Sequence, residues 1–60
     1  MLITTPNIHD ADGFYSELLD MHDGLSENES KALNARLILV LANHIGDREV
    51  LAEAMRTALD

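Results

Sequence analysis

The chain has 60 residues, with four Lys or Arg against eleven Asp or Glu, a formal net charge of −7 and no cysteine. That charge repels phosphate backbones and anionic membrane surfaces, and without Cys neither a disulfide framework nor a thiolate metal cluster can form. A single domain over 1–60 buries only about 60% of the surface its unfolded chain exposes, so association is the remaining route to a sizeable core.

Residues 1–9, MLITTPNIH, read as an extended arm, because Ile3, Thr4 and Thr5 are β-branched and Pro6 pushes the residue before it out of the α region. The arm has no positive charge and no long apolar stretch of the signal-peptide kind. Asp10 suits a helix N-cap, and Ala11, Phe14, Tyr15, Leu18, Leu19 and His22 then recur at helical spacing up to Gly24. This predicts a first helix over about 11–23. Tyr15 on that face reads as a buried ring with a polar tip.

The segment SENE opens a second helix with the pattern S-x-x-E, in which Ser26 and Glu29 can cap each other's backbone N–H groups. Gly46 stops it, giving 27–45. Asp47 then caps a third helix over about 48–59, with Val50, Leu51, Ala54, Met55 and Ala58 on one face and Glu49, Glu53 and Arg56 on the other. The expected fold is all-α, a small three-helix unit with an extended amino-terminal arm.

The middle helix is unusual in being apolar nearly all the way round. At 100° per residue, Leu33, Leu37, Val40, Leu41 and His44 form one arc, with Asn34 and Ile45 at its edge, suited to covering the other two helices. Glu29, Arg36 and Asn43 form a narrow polar line. Ala32, Ala35, Leu39 and Ala42, flanked by Ile38, recur at gaps of three, four and three on a second surface, where small side chains let another helix approach closely. Arg36, at its edge, has no carboxylate three or four residues away. These residues, Ala32, Ala35, Arg36, Ile38, Leu39 and Ala42, are the candidate partner interface. Asn34 reads as a satisfied amide that fixes register, with a contact to a partner's backbone as the alternative.

Chemistry is sparse. The histidines stand beside potential ligands, as His9–Asp10, His22–Asp23 and Asn43–His44, yet no pair has the i,i+4 spacing of a helical metal motif. His22 and His44 fall in the last turns of expected helices, where an imidazolium meets the negative end of the dipole. The serines at 16, 26 and 30 have roles as surface, cap and first turn, and no catalytic residue or cofactor is expected. The HIGDRE corner resembles a helix-turn-helix turn, but the acidic third helix does not suit phosphates.

The blocks MLITTPNIHDADGFY and LNARL…LANHIGD, over nearly the whole chain, resemble a family of roughly sixty-residue proteobacterial proteins grouped as a domain of unknown function. The resemblance implies no catalytic residues; it implies the genomic company of flavin-dependent hydroxylases and other enzymes of aromatic-compound breakdown. Gly13 departs from that family's pattern and weakens the first helical turn. The expected function is a cytoplasmic, non-catalytic helical interaction module. It would form a homo-oligomer or serve as a small accessory subunit, with no nucleic acid or membrane partner. The alternative is a metal- or ligand-binding regulator that uses His with neighbouring acids.

Overall fold

Side-chain caps decide where each helix begins. In the computed structural model, which describes residues 1–60, α1 spans Ala11–Met21, α2 Glu27–Ile45 and α3 Arg48–Leu59, and residues 1–8 form neither helix nor strand. The all-α, three-helix architecture and the arm follow the sequence reading, and α2 and α3 have the expected limits.

Asp10 starts α1 from a left-handed backbone (φ 52°, ψ 61°), and its carboxylate accepts the Gly13 N–H at 3.1 Å. Asp tolerates that region better than most residues because its short side chain bonds locally. Gly13 has a purpose here: a Cβ on it would lie 2.8 Å from Asp10 Cγ, so the missing side chain leaves room for the capping carboxylate.

α1 stops at Met21, two residues short of the expected 23. The His22 N–H donates to Leu19 O at 3.0 Å and the Asp23 N–H to Asp20 O at 3.1 Å, so the last turn tightens to i→i−3 bonds. Gly24, at φ 78°, then turns the chain towards α2.

At the start of α2 the reciprocal cap is complete. Ser26 Oγ accepts the Glu29 N–H at 3.1 Å, and Glu29 Oε1 accepts the Ser26 N–H at 2.9 Å. At its end Gly46, at φ 74°, donates its N–H to Ala42 O at 2.9 Å. Asp47 follows at once and accepts from the Glu49 and Val50 N–H groups at 2.9 and 3.2 Å. Two residues thus join α2 to α3, and both are fixed by caps.

No side chain is fully enclosed anywhere in the chain. Leu18, His22, Leu33, Leu37, Ala42 and Leu51 are half-buried at best. The accessible surface is 5500 Å², whereas a folded monomer of this mass exposes about 3,900 Å². The radius of gyration is 13.2 Å, against about 10 Å for a close-packed chain of this length. The helices are well capped and hardly packed.

Candidate docking surface

Two grooves flank α2, and they differ in chemistry. The first, of about 510 Å³, lies between the end of α1 and the start of α2 and is lined by Met21, Leu25, Glu29, Ala32, Leu33 and Arg36. Charged groups of both signs therefore stand beside its apolar floor. A polar bridge fastens the same joint: His22 Nδ1 lies 2.8 Å from Leu18 O, and its Nε2 lies 2.8 Å from Asn34 Oδ1.

With both ring nitrogens facing oxygen, the imidazolium donates twice while the neutral ring carries only one proton to give. The Leu18 carbonyl first, and then Asn34, raise the His22 pKa above its ordinary value. The Ser26 backbone N–H, followed by its hydroxyl, lowers that of Glu29, since both favour the carboxylate.

The second groove, of about 530 Å³, lies between α2 and α3. Ile38, Leu39, Leu41, Ala42 and Ile45 line it from α2, and Leu51, Ala54, Met55 and Ala58 from α3, without a polar residue among them. The two stripes have the same form. Positions 38, 41, 42 and 45 repeat as 51, 54, 55 and 58, the i, i+3, i+4, i+7 set of a single helix face. Small Ala42, Ala54 and Ala58 alternate with large neighbours whose side chains stay in solvent: Leu39 is 70% exposed, Ile38 and Met55 64%.

The candidate interface residues divide between these grooves. Ala32 and Arg36 line the first, Ile38, Leu39 and Ala42 the second, and Ala35 lines neither. The arc of Leu33, Leu37, Val40 and Leu41 does not cover both neighbours as expected, since Val40 remains 65% exposed. Tyr15 is also a correction: the residue is 60% exposed, because the chain after α1 reaches α2 through the His22–Asn34 bond and α1 does not lay its apolar face on α2. Asn34 has a hydrogen-bond partner, His22, but it is exposed and not the core amide expected. The contribution of α3 was not foreseen, although its spacing matches that of α2.

No three His, Asp or Glu side chains lie close enough together to hold one ion. His44 sits in the last turn of α2, as expected, whereas His22 stands one residue beyond α1 as its C-cap and bonds the Leu18 carbonyl through its ring. No helix is long and apolar enough to cross a membrane.

Fold and surface together define a small all-α unit of three capped helices with an open apolar groove. The chain belongs to the family described as Protein of unknown function (DUF2783), whose model matches residues 2–60. No curated protein and no solved structure matches it.

Proposed function

We propose that this protein is a non-catalytic helical docking module whose working surface is the groove between α2 and α3. The observation that supports this reading is the groove's lining, nine apolar residues from two helices with none of the polar groups that would orient a small substrate. A contiguous open apolar surface formed by two helices is the kind of surface that protein–protein contacts use. The mechanism is burial: covering one Leu or Ile completely stabilises by about 1.5–3 kcal/mol, and the groove offers several.

The test is association by size exclusion with light scattering, on the purified chain and on the chain co-expressed with its genomic neighbours. Association, with itself or with a second protein, is expected to disappear in Ala54→Glu, which places a charge on the groove floor. It should persist in Ile8→Glu, which changes only the exposed arm. Association indifferent to Ala54→Glu would overturn the reading.

A further inference from the structure

We infer that the occupant of the α2–α3 groove is a second copy of this chain, and that the two copies share one core made of both helical pairs. This rests on the docking reading above and adds its partner. One chain exposes roughly 1,600 Å² more than a folded monomer of its mass should. The extended arm accounts for part of that excess. Half of it, about 800 Å² a chain, already makes a standard interface, and all of it gives a pair burying about 3,200 Å², within the range of obligate homodimers.

Three features favour a second copy over the other occupants, the chain's own arm or another protein. A chain with no enclosed side chain needs an associate present whenever it folds, and another copy always is. The chain's own arm does not fill the groove, since α2 and α3 alone line it. The surface is also self-complementary: the α2 stripe is large except at Ala42 and the α3 stripe has small Ala54 and Ala58 around Met55, so Ile38 and Leu39 of one copy find positions 54 and 58 of the other, and Met55 finds position 42, under a two-fold axis. Four helices then surround one apolar centre. Glu49 and Arg56, across α3 from its stripe, remain outside it.

The experiment uses the full chain at several concentrations, with light scattering for mass, circular dichroism for melting, and two single-cysteine variants in this cysteine-free background. The expected result is a mass of two chains and a Tm that rises with protein concentration. Leu39→Cys should be joined to its partner by a short bismaleimide, and Glu17→Cys on α1 should not. A stable monomer with a concentration-independent Tm would overturn the pairing. A species larger than two chains, or a dimer that cross-links only through Glu17→Cys, would do the same. If the chain is monomeric, labelling of Leu39→Cys by a monofunctional maleimide separates the two ideas. Rapid labelling leaves the docking reading with a different partner, and protection removes that reading as well.

Discussion

The two joints of this chain use opposite means. Between α1 and α2, polar groups hold the geometry: a reciprocal cap at Ser26 and Glu29, and the His22 bridge from the Leu18 carbonyl to Asn34. Between α2 and α3, a two-residue turn closed by Gly46 and Asp47 brings together two stripes that leave an apolar groove open. Hydrogen bonds fix direction but each adds only about 0.5–1.5 kcal/mol net. Apolar area carries most of the available stabilisation, and here it is unspent within one chain. The first joint is therefore fixed by polar bonds, and the second leaves its apolar area in solvent, available to the association proposed above.

Substitutions in the groove should break this contrast most strongly. Leu39→Glu loses the transfer energy of a Leu, about 1.5–3 kcal/mol, and adds a charge to an apolar contact. Its association should fall by two orders of magnitude or more in sedimentation. Leu37→Glu, at a half-buried position, should instead lower the helical signal at every concentration. Equal behaviour of the two variants would remove the distinction between contacts within and between chains.

Caps come next. Asp47→Ala leaves the Glu49 and Val50 N–H groups without their acceptor, and Ser26→Ala breaks the reciprocal cap; each should lower stability by about 1 kcal/mol in urea melts. Asp47→Ala should also weaken association, because it loosens the turn that sets the two stripes side by side.

The polar joint should respond to pH. A raised His22 pKa contributes stability that is fully present below about pH 6.5 and is lost as pH rises through the folded value. The lowered Glu29 pKa contributes stability present above about pH 4.3 and lost as pH falls through its folded value. The α1–α2 joint should accordingly be tightest between those limits, read as amide exchange at Leu25 and Ser26, and Asn34→Ala should lower the His22 titration midpoint measured by NMR. A midpoint unmoved in that variant would show that the bridge does not form in solution.

Gly13→Ala should have the smallest effect. The gain in helix propensity, about 1 kcal/mol, is offset by displacement of the Asp10 carboxylate and loss of a cap worth a similar amount. A thermal melt within a degree or two of the parent is expected, and a clear gain would mean that the Asp10 cap contributes little.

What was legible in the sequence is local. Ser26, Glu29, Gly46 and Asp47 announce helix ends by chemistry that operates within four residues, and the structure has those ends where the spacing places them. α1 ends earlier than its apolar spacing predicts, and there His22 bonds back to Leu18 through its side chain, which apolar spacing does not encode. Angle around α2 groups Ala32, Ala35, Arg36, Ile38, Leu39 and Ala42 together, whereas the structure divides them by neighbour. A helical wheel does not say that α1 meets the amino-terminal half and α3 the other, which is why Ala32 and Arg36 separate from Leu39 and Ala42. Tyr15 and Val40 were expected to be covered on the assumption that an apolar face is used up within its own chain.

That same lack of an enclosed side chain bears on how long the protein lasts in a cell. Proteases cut chains while they are open, and a chain with little internal packing opens readily. If a second copy closes the groove as proposed, that closure would govern turnover as well as assembly. Each molecule's half-life would report whether its groove was occupied, and copies made in excess of their partners would be cleared first.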